Sequence, residues 1–416
     1  MSKHYTIRSF FRQMPNALLA RYFEAKGIEH GLDIAKLPET KPEPWMDVWA
    51  YVPDGKRSEM EADFRDIHAM SSEGGTLAIM DELRWLSRPN AEDATAIIEK
   101  LSALTNHAER AMMTFLDHGE CWRGATRFQH ADTLSNWRKR NHLGHKAAAV
   151  DDASIQQLSD LIRGYFHHTE GRGKHCTVEP LRRGNRDYFF AYPEDHSQRS
   201  VEWVDGEFSP RPHNPAFEIV FVYSQAQGAL DISYRGSKKA VEALQGIFAQ
   251  AILKLDALPP DPKDARVYDL APLSQKSFEF KPSPASGIEK VVVKRIRMSS
   301  AAKQGDRITL EADTKNDRHA VYALMEQIKR AMPLHLYNVT QVELTASVSV
   351  DPDKPPKNVN IRISHPNLCS LKYDELDLKL RDMLVASGIE PQLPPEDAEP
   401  TVEDGSKPAV TGDVTA

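Results

Sequence analysis

The feature that most constrains this chain is a change of hydrophobic period near Lys174. Before it, apolar residues recur at helical spacing; after it they alternate. In the run Asn16 to Gly27, Leu18, Leu19, Tyr22 and Phe23 fall on one helical face. Pro15 stands ahead of that run and Gly27 is placed to end it. The turn Val52 to Lys56 is followed by Ser58 and, three residues on, Glu61. That capping-box spacing predicts a helix to Met70, with Phe64, Ile67 and His68 on one face. Further helices are expected at about 76–86, 91–104, 106–117 and 123–137.

Beyond Lys174 the pattern is that of strands. Cys176 to Glu179 and Asp187 to Tyr192 are joined by a turn at Arg183 to Arg186. Ser200 to Val204 and Glu207-Phe208 flank Asp205-Gly206, a favoured hairpin dipeptide. Phe217 to Tyr223 pairs with Gly228 to Tyr234, and a helix from Lys238 to Leu255 carries Val241, Leu244, Phe248 and Ile252 in one stripe. After the Pro-rich Pro259 to Pro262, strands are expected at 288–298, 307–312, 340–350 and 358–364, with helices at 319–332 and 374–386. The expected fold is α+β. It comprises a helical part over 1–165, an antiparallel sheet plus helix over 174–256, a linker over 257–287, a β-β-α-β-β-α section over 288–390 and an acidic tail over 391–416. Each sheet section is expected to carry its helices on one face. The tail has too few apolar residues to offset ordering entropy and reads as disordered.

A length of 416 residues suits two or three domains. No run approaches the roughly 20 apolar residues of a membrane helix, and the first residues lack a signal-peptide apolar stretch. Cys121, Cys176 and Cys369 are too sparse for a disulfide framework. These features lead to the expectation of a cytoplasmic protein. The formal net charge of −7 argues against a protein wrapped in nucleic acid. Much of that acidity, however, lies in the tail: Glu396, Asp397, Glu399, Glu403, Asp404 and Asp413 against Lys407. The section from about 120 to 190 is basic and rich in histidine.

Four segments taken together, Phe11 to Phe23, Asp187 to Asp195, Pro215 to Tyr223 and His365 to Leu371, give a resemblance. The chain resembles a set of uncharacterised bacterial proteins of similar length and layout, over most of residues 5–390. The resemblance implies a bacterial cytoplasmic protein. It brings no activity with it, so no catalytic residue carries over.

Four constellations invite chemistry. The first is the basic stretch Arg123, Arg127, Trp137, Arg138, Lys139, Arg140, His142, His145 and Lys146, continued by Arg172, Lys174, Arg182, Arg183 and Arg186. Its cations suit phosphates and Trp137 could stack on a base. Arg127, Trp137, Arg138, Lys139, Arg140, Arg172 and Lys174 are the expected nucleic-acid contacts. The alternative is a solvated junction offset by Asp151, Asp152 and Asp160. The second is His167 to Cys176, where imidazoles and a thiol could bind zinc, or Gly171 and Gly173 could let backbone N–H groups cup an anion. A flexible loop before a strand is the plainer reading, and no metal site is expected there. The third is Asp269 with Glu279 and Lys281, the acid and Glu-x-Lys pattern of metal-dependent nucleases. The fourth is Glu59, Glu61, Asp63, Asp66 and His68, of which Glu59, Asp63 and Asp66 share a helix face that could hold a metal or a general base; a solvated helix with a Glu61–Arg65 pair is the plainer reading. P-loop, dinucleotide-binding, nucleophile-elbow and HExxH patterns are missing from the sequence. The expectation is a non-enzymatic binding or regulatory protein whose ligand is nucleic acid or a partner protein, without a cofactor. The alternative is a nuclease using a divalent cation; a role in defence against foreign DNA fits either.

Overall fold

The computed structural model describes residues 5–86, 91–204, 207–260, 267–350 and 355–391. Its first part is helical: α1 (Ile7–Gln13), α2 (Asn16–Ala25), α3 (Glu43–Ala50), α4 (Asp54–Met70), α5 (Glu73–Leu86), α6 (Ala91–Ser102), α7 (His107–Asp117) and α8 (Gly119–Ala131). Aromatic side chains fill its centre. Phe10, Phe11, Phe23 and Trp49 surround Phe64, and Trp45 packs on Phe23 at a centroid distance of 5.1 Å. The expected cap at Ser58 is not used. Helix α4 starts earlier, behind Pro53; the Ser58 hydroxyl donates to the Asp54 carbonyl and Glu61 pairs with Arg65 inside the helix. Pro53 pre-sets the backbone for helix entry, and that outweighs the side-chain spacing.

The remaining elements are β1 (Trp137–Arg140), α9 (Asp152–Glu170), β2 (Cys176–Arg183), β3 (Arg186–Pro193), β4 (Gln198–Val204), β5 (Glu207–His213), β6 (Ile219–Ser224), β7 (Ala229–Ser233), α10 (Lys238–Ala251), β8 (Ile288–Ser300), β9 (Arg307–Glu311), α11 (Ala320–Lys329), β10 (Tyr337–Val348), β11 (Lys357–Ser364), β12 (Leu368–Cys369) and α12 (Glu375–Ala386). The two expected sheet sections form one ten-stranded antiparallel sheet, ordered β2-β3-β6-β7-β1-β12-β11-β10-β8-β9. The hairpin β4–β5 stands outside it as its own two-stranded sheet. The seam between the halves is β1, which pairs with β7 through Trp137↔Ser233 to Arg140↔Leu230 and with β12 through Trp137↔Cys369. This corrects the helix expected over 123–137. Trp-Arg-Lys-Arg carries no alternation of its own, and a vacant slot between two strands decides its conformation.

Cross-strand partners share a face, so register assigns each side chain to a side. Phe189, Phe221 and Ile232 face α9 and α10. Tyr188, Phe190, Val220 and Val222 face the opposite way, against Phe128 and Ala131 of α8 and against Trp137 and Tyr373. Helix α9 therefore packs in the core of the first half-sheet, although its sequence runs on from the helical part. The second half-sheet buries Ile296, Val342, Leu344, Ile361 and Ile363 against α11 and α12. The same core takes Val267, Tyr268, Leu270 and Leu273, so much of the expected linker is docked. The other face of this half is polar. Gln341, Thr345 and Ser347 bond Ser364, Asn360 and Asn358 across β10 and β11 at 2.7, 2.9 and 2.7 Å. Among the described residues, the first half is thus covered on both faces and the second on one. The acidic tail from 392 onward lies outside the described residues. Among the described residues, no helix is long and apolar enough to cross a membrane.

Candidate functional site

The basic stretch does not assemble into one groove. Strand alternation sends Trp137 and Lys139 to one side of β1 and Arg138 and Arg140 to the other. Trp137 is fully buried, with its ring edge-on to Tyr373 at 5.3 Å. Lys139 is buried in an ion pair with Glu390, and Arg140 donates to the Pro259 carbonyl. Arg127, on α8, bonds Glu179 of β2 at 2.9 Å and lies over Tyr192. Arg172 pairs with Glu170 and Asp195, donates to the Tyr234 hydroxyl and rests 3.9 Å from the Phe217 ring centroid. Lys174 is exposed in the turn before β2. Much of this charge therefore joins helices to the sheet.

The other constellations are also accounted for locally. Gly171 ends α9 in the left-handed conformation, and Gly171, Arg172 and Gly173 spend their N–H groups on the carbonyls of His167, Phe166 and Glu194. That turn seats Arg172 and leaves no anion cup. The Asp269 carboxylate accepts from the Ala271 N–H, and the Lys281 N–H donates to Ser387. Glu279 and Lys281 lie outside any strand, in chain without regular secondary structure, unlike the framework that the nuclease pattern needs. Asp63 accepts from Tyr22 and pairs with Lys26, which also holds Glu59, so the acidic face of α4 docks α2. Among the described residues, no group of three or more His, Cys, Asp or Glu side chains is arranged to hold a metal.

A different cleft gathers cations and rings. It has a volume of about 450 Å³, within the range of small-molecule sites, and lies where the helical part meets both half-sheets. The β2–β3 turn contributes Arg183, Gly184, Asn185 and Arg186; α5 contributes Asp81, Arg84 and Trp85; α12 contributes Glu375 and Leu378; and Tyr188 and Tyr373 complete the walls. Gly184 has φ of 60°, which lets a two-residue turn follow the twist of its strands. Arg183 is only 10% exposed and is fixed by Asp81 at 2.9 Å and Asp132 at 2.8 Å. Arg186 lies 5.3 Å from the Tyr373 ring centroid and donates to Asn185 at 3.2 Å. Arg84 is exposed and pairs with Asp81 at 3.1 Å. Arg182 lies over Trp85 at 5.9 Å.

Burial dominates the electrostatics beneath this cleft. The Asp132 carboxyl is pushed up to about 6 by burial, against the pull of Arg183. Glu82, one residue along α5 from Asp81, is pushed up to about 7 by burial, again opposed by Arg183. Arg183 is therefore a fixed strut, while Arg84 and Arg186 offer donors at the mouth. Positive forks beside aromatic walls suit an anionic group carried by a flat ring. The sequence named Arg182, Arg183 and Arg186 as part of the basic stretch but did not find Arg84, Trp85 or Tyr373. They come from distant segments and carry no shared pattern. Comparison of the whole chain with protein-family models and with curated proteins gives no match.

Proposed function

We propose that this chain is a non-enzymatic binding or regulatory protein of bacterial cytoplasm that takes single-stranded nucleic acid at the cleft formed by Arg84, Trp85, Arg183, Arg186 and Tyr373. The observation that carries this reading is the placing of Arg84 and Arg186 at the mouth of one cleft with Trp85 and Tyr373 in its walls. Guanidinium forks neutralise phosphates, and the half-buried Trp85 gives a ring for a base to stack on. The cleft is lined by a tight turn and two helices, and its size suits one splayed nucleotide better than a duplex. The nuclease reading through Asp269, Glu279 and Lys281 has less support, because those residues lie outside this cleft and outside a strand framework.

The test is a fluorescence-anisotropy titration of labelled single strands and duplexes at low salt. Wild type should bind single strands more tightly than duplex. Arg186→Ala should weaken every sequence about equally, because phosphate contacts carry no base information. Trp85→Ala should cost about 1–3 kcal/mol per stacked base. Binding that ignores both substitutions would refute this site.

A further inference from the structure

The hairpin β4–β5 projects beyond the Glu194–Ala216 bridge and exposes its apolar side chains: Trp203 at 74%, Phe208 at 64% and Val201 at 61%. Register places Arg199, Val201 and Trp203 of β4 opposite Pro212, Pro210 and Phe208 of β5. These six therefore share one face, and the Trp203 and Phe208 rings meet edge to face at 5.5 Å. A lone two-stranded hairpin with a bare apolar face is marginal in water.

The two edges of the hairpin differ. Pro210 and Pro212 have no N–H to give to β4, so the ladder bonds fall at Ser209, Arg211 and His213, opposite Glu202, Ser200 and Gln198. The same prolines remove donors from the outer edge of β5 and block it against a further strand. On β4 the alternation turns the N–H and C=O groups of Arg199, Val201 and Trp203 outward, and β4 has no proline. Among the described residues, one edge is closed and the other is open.

We infer that β4 is a homodimerisation strand, pairing antiparallel with β4 of a second copy about a two-fold axis at Val201. In this register Val201 meets its own counterpart and Arg199 of each copy meets Trp203 of the other. All three outward N–H groups and all three carbonyls of each strand are then bonded. The sequence favours this register by charge. Arg199 lies over the partner's indole on the apolar face, and Ser200 faces Glu202 on the other. Centring the axis on Arg199 instead would set two guanidinium groups against each other, which is unfavourable. The product is a four-stranded ribbon whose outer edges are both the proline-blocked β5.

The register makes a specific crosslinking prediction. Cα atoms of a directly bonded antiparallel pair lie about 5.5 Å apart, within disulfide reach. The two Arg199 positions would be four residues apart along the ladder, roughly 14 Å. Val201→Cys in the full chain should therefore oxidise to a covalent dimer, and Arg199→Cys should not. Sedimentation equilibrium of wild type at tens of micromolar should give a dimer. Val201→Pro, which removes the central N–H, should weaken association at least tenfold with an unchanged far-UV spectrum. A monomeric wild type at that concentration, or equal crosslinking at the two positions, would overturn the inference.

Discussion

Glu82 offers the most quantitative prediction. It lies on α5, faces α8 and is 4% exposed. Gly124 of α8 makes the close approach possible, since a Cβ there would lie 2.2 Å from the Glu82 Oε1. Burial raises the carboxyl from 4.5 to about 7. The folded protein therefore holds the Glu82 proton more tightly than the unfolded chain does. The associated stability is fully present below about pH 4.5 and is lost as pH rises through about 7. At 1.36 kcal/mol per pH unit, that gap corresponds to at most about 3 kcal/mol. Glu82→Gln keeps the shape and removes the titration. Its stability relative to wild type should improve by about 1–3 kcal/mol between pH 5 and pH 8.5. Asp132 titrates in the same window but is present in both proteins, so it drops out of the difference. Urea unfolding followed by tryptophan fluorescence at several pH values measures the effect. A difference between the two proteins that stays constant with pH would refute the buried-acid account.

Further expectations concern the seam of the sheet. Glu390→Ala leaves Lys139 buried and charged and should cost about 3–5 kcal/mol, while the double change Lys139→Met with Glu390→Leu should recover most of the loss; denaturant midpoints compare them. Trp137→Ala should cost about 3–5 kcal/mol of stability, read by thermal melting, because it empties a core position. Ending the chain after Gly388 removes the fully buried Ile389 as well as Glu390 and should lower the melting temperature by several degrees, whereas ending it after Pro391 spares both.

The period change near Lys174 reflects the first half-sheet accurately, because β2, β3, β6 and β7 each carry enough alternating or continuous apolar residues to be recognised alone. The hairpin at Asp205-Gly206 was legible from its turn chemistry, as β4 and β5 bear out on either side of those two residues. The joining of both sections into one sheet was not legible. It rests on β1 and on the two-residue β12, whose conformations come from their neighbours and not from local pattern. The same seam explains why the basic stretch misled. Lys139 and Arg140 look solvated in sequence, yet an ion pair with Glu390 and a carbonyl at Pro259 let them be buried. The cleft was legible only in part. Its turn arginines stand together in sequence, whereas Trp85 reaches it from α5 and Tyr373 from the bend that precedes α12.

The most direct test of the proposed function is the salt dependence of single-strand binding, compared between wild type and the double variant Arg84→Ala with Arg186→Ala. Two phosphate contacts predict a slope of log K against log salt of roughly −1.4, from about −0.7 per contact. The double variant should lose most of that slope along with its affinity. Wild type that binds no single strand at low salt, or a double variant that keeps the full slope, would contradict the assignment of nucleic acid to this cleft.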